Sequence, residues 1–195
     1  MNKTLIKKYA KVIAKKGIGL RKGQQVVVNA PVDAYEFVEI LVEELYKCKA
    51  SRVHVEWGNS KIAKTKYKYE SIETLKELPE YIVEKAKYTY ENRIARISIS
   101  SSDPDGMKGV DLTASLKARR DTYMDMKKYY DAMENKYQWV ICAMPSLAWA
   151  KKVFPDLEED EAVEALWEAI LNASRVTIDN DPVLEWDKHN AALSS

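Results

Sequence analysis

Apolar residues recur along this chain with two alternating periods. Leu5, Ile6, Tyr9, Val12 and Ile13 fall three and four apart, the stripe of an amphipathic helix that Gly17 stops. Gly23 turns the chain into a compact run, Val26-Val27-Val28, which predicts a buried strand. Phe37, Val38, Leu41, Val42 and Leu45 line one face of a second helix, with Asp33 as its expected N-cap. From Val53 to Trp57 the period drops to two. Val53, Val55 and Trp57 point one way, Arg52, His54 and Glu56 the other, a pattern that suits an edge strand or a cleft wall.

Gly58 ends that strand. A Lys/Tyr-rich segment follows, then two helical pieces divided at Pro79, expected as N1 of the second. A third strand is predicted over Ile94 to Ser100. After a turn-forming loop from Ser101 to Gly106, a long helix is predicted from Leu112 to Met133, with Leu116, Tyr123, Met126, Tyr130 and Met133 on its stripe. A fourth strand spans Trp139 to Ala143, and helices are expected over Leu147–Phe154, Ala162–Leu171 and from Val183 onward. Strands and helices in steady alternation predict repeated βαβ units. The fold class is therefore α/β, a mostly parallel sheet with helices on both faces, Rossmann-like but without a dinucleotide fingerprint.

Composition narrows the function classes. The 195 residues are 46% hydrophobic, enough for one substantial core. Net charge is +1, which gives no global pull toward nucleic acid or acidic lipid. That balance hides an asymmetry. Residues 1–70 carry 15 Lys/Arg against 7 Asp/Glu, and the rest of the chain is correspondingly acidic, a bias suited to an internal or intersubunit contact. Cys48 and Cys142 both lie in apolar stretches and read as small hydrophobes, not as a disulfide or thiolate metal framework. The first sixteen residues lack the apolar core of a secretory signal, and no apolar run is long enough to span a bilayer, so the expected location is the cytoplasm.

Candidate chemistry is sparse. His54 and Glu56 share a strand face and would suit a metal or acid–base pair, or else a half-exposed Arg–His–Glu ladder. His189 follows Glu185 by one helical turn, without an HExxH motif. After the first strand the chain reads Asn29-Ala30-Pro31-Val32-Asp33, a turn with no glycine-rich phosphate cradle, and Pro31 removes a backbone donor. Carboxyl ends of parallel strands are where function collects. Asp33, Glu56, Asn59, Ser102, Asp103 and Ser146 fall there, with no nucleophile–base spacing among them. No catalytic, cofactor-binding or metal role is assigned to any residue. Lys61, Lys64, Lys66 and Lys68, interleaved with Tyr67 and Tyr69, would suit single-stranded nucleic acid, with Arg119-Arg120 and Lys127-Lys128 extending the patch. Interspersed acids and the balanced charge favour a solvated face and no nucleic-acid partner.

Asp181-Pro182 is a strong helix start, Asp as N-cap and Pro at N1, and Trp186 and Leu193 lie about two turns apart beyond it. No Gly or Pro stops that helix before Ser194-Ser195. Residues 1–180 are read as the α/β domain and 181–195 as the start of a connector helix. Trp186 then packs on the domain body, on a second copy or on a further domain, and the pattern alone suits an ordinary frayed terminus as well as a chain that continues.

Several segments together resemble the thermophilic aminopeptidases, the aminopeptidase T / aminopeptidase S type of metallopeptidase. These are Gly19-Leu20-Arg21-Lys22-Gly23-Gln24 with Val26–Val28 and Ala30-Pro31, then Phe37-Val38 and Leu41 to Tyr46, and then Val53 to Trp57. Later come Pro145-Ser146, Trp149-Ala150, Val153-Phe154-Pro155, Leu166-Trp167 and Asp181-Pro182-Val183 with Trp186 and His189. The resemblance implies a metal-dependent enzyme about twice this length that removes N-terminal residues from peptides. Its two divalent ions (zinc, cobalt or similar), bound by Glu, His and Asp side chains of a C-terminal domain, activate water and polarise the scissile carbonyl. This chain would be the N-terminal domain, binding no metal itself, its partner being its own catalytic domain and the full-length protein a homodimer. Two other readings stand beside it. One is a stand-alone module binding a small ligand or nucleic acid, the other a structural dimerisation domain.

Overall fold

The computed structural model describes residues 2–101, 103–110, 113–134 and 136–193. Ser102, Leu112, Ser194 and Ser195, named above, lie outside the described residues, as does the Arg119 side chain. In chain order the elements are α1 (Lys3–Val12), β1 (Gln25–Pro31), α2 (Tyr35–Lys47), β2 (Arg52–Gly58), α3 (Ser60–Tyr69), α4 (Ile72–Lys76) and α5 (Glu80–Glu91). Then follow β3 (Ala95–Ser100), α6 (Thr113–Met133), β4 (Trp139–Ala143), α7 (Leu147–Val153), α8 (Glu159–Ala173) and α9 (Pro182–Leu193). A π-helical turn, Ile13–Gly17, continues α1, and a 3-10 turn, Val32–Ala34, precedes α2. The chain divides into two compact units. Unit 1 is Met1–Gly58, Ala95–Pro104 and Gln138–Ser195; unit 2 is Asn59–Ile94 and Asp105–Tyr137.

Unit 1 holds the sheet. Its four strands are all parallel in the order β2-β1-β3-β4, which bears out the predicted α/β class and makes β2 and β4 the edges. Register puts one apolar row in line across the sheet: Val55 beside Val28, Val28 beside Ile97, Ile97 beside Val140. Along β1 the residues alternate, with Val26, Val28 and Ala30 buried and their neighbours half-buried. Phe37, Val38, Leu41 and Leu45 of α2 and Ile6, Tyr9 and Val12 of α1 join the core beneath them, at about 1.5–3 kcal/mol for each large side chain removed from water. At its centre Tyr9 stacks on Phe37 at 5.6 Å, and Trp167 of α8 meets both edge-on at 6.2 and 6.0 Å. The π-helical turn passes so near β4 that a Cβ on Gly17 would stand 3.2 Å from a Val140 methyl.

The basic N-terminal segment finds its acidic complement inside unit 1. Lys8 Nζ donates to the carbonyls of Thr177, Ile178 and Asn180 at 2.9, 2.6 and 2.6 Å. Lys11 lies 3.6 Å from Asp181, and Lys16 pairs with Asp187. Three lysines along one helical path thus fasten the approach to α9. Asp181 caps that helix as expected, its Oδ1 accepting from Val183 N at 3.0 Å. Trp186 packs against the core of unit 1 and donates from Nε1 to Ser174 O at 2.9 Å. Of the three destinations open to it in the sequence, the structure shows the domain body.

Unit 2 comprises α3–α6. Its described buried hydrophobics are Ile94, Met126 and Met133. The predicted stripe of α6 is half right: Met126 and Met133 are buried, while Leu116, Tyr123 and Tyr130 are exposed, the two tyrosines stacked on each other at 5.3 Å.

Three local expectations fail for identifiable reasons. Asn29, Ala30 and Pro31 belong to β1 and not to the turn, because Pro31 sits at the last strand position, where it needs no ladder donor. Asp33 does not cap α2: the 3-10 turn puts Ala34 at the N-cap, without a side-chain hydrogen bond. Pro79 is the N-cap of α5, one residue earlier than expected. The helix stops are also unusual. Lys49, Arg93 and Arg175, after α2, α5 and α8, hold φ of 71°, 46° and 58°. Each is followed by the paired 6→1 and 5→2 bonds of a Schellman cap, as in Ala50 N to Leu45 O and Lys49 N to Tyr46 O. Long cations occupy the place where glycine is cheapest, and their charge lies at the negative end of the helix.

Candidate functional site

The carboxyl edge of the sheet is the first place to look, and the switch point between β1 and β3 is where an open α/β sheet opens a crevice. There Asn29 pairs with Ser98, and Ser101 is buried just beyond β3. Those of the predicted polar residues that are described do not gather around it as a reactive set. Asn59 caps α3, its Oδ1 accepting from Lys61 N at 2.9 Å and Ile62 N at 3.2 Å. Ser146 caps α7, its Oγ accepting from Trp149 N at 3.2 Å. Asp33 and Asp103 are exposed, and Glu56 is half-buried on β2. Two of the six candidates are therefore explained by helix starts, the ordinary work of Asn and Ser in loops.

Neither histidine meets a ligand set. His54 Nε2 lies 3.1 Å from Gln25 Oε1, and the Arg175 guanidinium is 3.1 Å from His189 Nδ1. Glu185, the sequence neighbour of His189, pairs instead with Lys188 at 2.8 Å. His189 also meets the Trp186 ring edge-on at 5.5 Å, and Arg175 lies 5.8 Å over that ring. Among the described residues no group of three or more His, Cys, Asp or Glu side chains could hold a metal ion, and no buried side-chain polar atom lacks a hydrogen-bond partner. The described residues therefore do not fit a resident metal, whose ligands would converge as acids, imidazoles or thiolates. Burial pushes the Cys142 thiol up to about 12 and raises Cys48 as well, so neither is a poised thiolate.

Each unit has a concavity among its described residues. In unit 1 a groove of about 650 Å³ is flanked by Glu161, Glu164 and Glu168 of α8, with Leu5 and Ile178 among its apolar walls. In unit 2 a pocket of about 330 Å³ is lined by Tyr90, Arg93, Met133, Lys136 and Tyr137. Neither holds a nucleophile with an adjacent base. The Lys/Tyr helix α3 buries no residue; Lys64 donates to Lys108 O at 2.7 Å, Lys66 meets Glu70 at 3.5 Å and Lys68 lies over Tyr69 at 5.1 Å. These local partners match the solvated-face reading. No helix among the described residues is long and apolar enough to cross a membrane.

Comparison with known proteins supplies what the geometry does not. Residues 2–195 match the family model described as thermophilic metalloprotease (M29). Aminopeptidase AmpS of Bacillus subtilis (strain 168) is 37% identical over 188 residues, which are 95% of this chain and 45% of that protein. Aminopeptidase T of Thermus thermophilus is 33% identical, across 96% of this chain and 46% of its own length. Aminopeptidase PepS of Streptococcus thermophilus is 33% identical over 97% and 46%. Among solved structures, wild-type AmpT from Thermus thermophilus superposes with a TM-score of 0.84 at 31% identity, covering 97% of this chain and 46% of that one. The chain spans somewhat less than half the length of these relatives.

Proposed function

The chain belongs to the thermophilic metalloprotease (M29) family, and from that premise we propose that it is the N-terminal domain of a metal-dependent aminopeptidase. In this reading the whole protein removes N-terminal residues from peptides. This domain shapes or covers the substrate cleft, and a C-terminal half carries two divalent ions and the reaction. The connector to that half runs from residue 181 through α9. The whole protein is cytoplasmic and a homodimer, with neither nucleic acid nor membrane as partner. One observation carries the proposal: near-complete coverage of this chain against 45–46% coverage of relatives named as aminopeptidases. The lack of a ligand cluster among the described residues agrees with placing the chemistry elsewhere.

The experiment compares this chain with the protein extended through its natural downstream sequence, using aminoacyl chromogenic substrates with zinc, cobalt or manganese. Turnover is expected from the longer protein only, and a chelator should abolish it. Turnover by the 195-residue chain above a metal-only blank would place the chemistry here and overturn the proposal.

A further inference from the structure

The two edges of the sheet are built differently. On β2, one face carries Arg52, His54 and Glu56, the charged and polar side chains with which natural edge strands resist further pairing. The other edge strand, β4, reads Trp139-Val140-Ile141-Cys142-Ala143, with no charge and no proline. Trp139 and Ile141 are 59% and 64% exposed. Hydrogen bonding along β4 alternates. Arg96 N donates to Gln138 O, and Met144 N to Ser100 O, so even-numbered residues face β3. The odd-numbered residues turn their backbone groups to the free edge. At Ala143 that edge is closed: Tyr9 Oη donates to its carbonyl at 3.0 Å and accepts from its N–H at 3.1 Å. Trp139 and Ile141 are left facing outward beside two large apolar side chains.

We infer that β4 is an interior strand of the whole protein, and that a fifth strand from the downstream half pairs with it at Trp139 and Ile141. The inference rests on the two-domain reading above. Among the described residues β4 is the last strand, and α7, α8 and α9 follow it. The relatives, about twice as long, have the chain to supply it. The Tyr9 hydroxyl sets where the pairing ends, since the outward groups of Ala143 are already bonded.

Amide hydrogen exchange at Trp139 and Ile141 tests this in the 195-residue chain and in the protein extended through its natural downstream sequence. Exchange is expected to slow on the order of a hundredfold in the longer protein. Ile141→Pro, which removes an outward N–H, should abolish that protection and leave the short chain's melting unchanged. If the variant does not fold, exchange in the unsubstituted pair decides alone. Equal, fast exchange in both proteins overturns the fifth strand. Protection in the short chain overturns it too: if it rises with concentration it assigns the edge to a second copy, and if constant, to this chain itself. Peptidase activity is read separately. A longer protein that is active with fast amides loses only the strand, whereas slow amides without metal-dependent turnover keep the strand and sink the functional reading.

Discussion

Units 1 and 2 differ in whether any aromatic reaches the core. In unit 1 Tyr9, Phe37 and Trp167 interlock under a sheet whose central strands are apolar on the facing side, while Tyr35, Tyr46, Trp57 and Trp139 lie exposed. Unit 2 holds nine of the twelve tyrosines, and Tyr69, Tyr81, Tyr88, Tyr90, Tyr123 and Tyr130 are all exposed. Its described buried side chains are one isoleucine and two methionines, the least shape-specific of core residues. An extended sheet gives unit 1 one continuous apolar surface to cover. The helices of unit 2 lack such a platform, and their rings lie at the surface, where Tyr supplies contact area at low entropic cost. Unit 2 is therefore the part expected to open first and unit 1 the part that sets global stability.

The sharpest way to break that contrast is to truncate one core residue in each unit. Trp167→Ala should cost about 3–5 kcal/mol and shift the global denaturant midpoint. Met133→Ala should cost about 2 kcal/mol, confined to unit 2. Residue-resolved exchange would then show α5 and α6 opening while β1 and β3 stay protected. Equal responses in both units would mean that they unfold as one. A smaller effect is expected at the left-handed caps. Lys49→Gly should raise stability by roughly 1 kcal/mol, because glycine adopts that conformation without steric cost. Arg175→Gly should gain nothing, since its guanidinium also contacts Trp186 and His189. Melting curves of the two variants check this. The smallest effect is at Asp181. Its carboxyl is held below the ordinary value of 3.8, chiefly by the Val183 N–H and also by Lys11. The support it lends α9 is therefore full above that value and is lost as pH falls through the lower folded one. Protection of the α9 amides, relative to their intrinsic exchange rates at each pH, should fall at acid pH in the native chain, and Asp181→Asn should remove that dependence.

Much of this architecture was legible in the residues. Strand Trp139–Ala143 was located to the residue, and the alternation of Val53, Val55 and Trp57 suited an edge strand or a cleft wall, of which β2 is an edge. Asp181-Pro182 announced α9 because cap chemistry is local. What escaped was non-local or rule-breaking. Strand order depends on which crossovers pass which strand, and no side chain records it. The stops after α2, α5 and α8 were hidden because a lysine and two arginines stand where Gly is the usual signal. Asp33 misled because a 3-10 turn intervened. The Lys8, Lys11 and Lys16 contacts left a trace only as a charge bias between the two ends of the chain, and Arg175–His189 left none. Asn59 and Ser146 had the right composition for a cleft, but a side chain that caps a helix looks the same in sequence as one that meets a ligand.

The three lysines of the first helical segment have a consequence for synthesis. Lys8 reaches carbonyls 169 to 172 residues further on, and Lys16 reaches Asp187. A nascent chain emerges from the ribosome at about 5–20 residues per second, so the amino-terminal helix waits roughly 10–40 s for its anchors. During that interval its buried face, Ile6, Tyr9, Val12 and Ile13, has at most part of its final cover. Until then it offers an apolar face that a chaperone could hold.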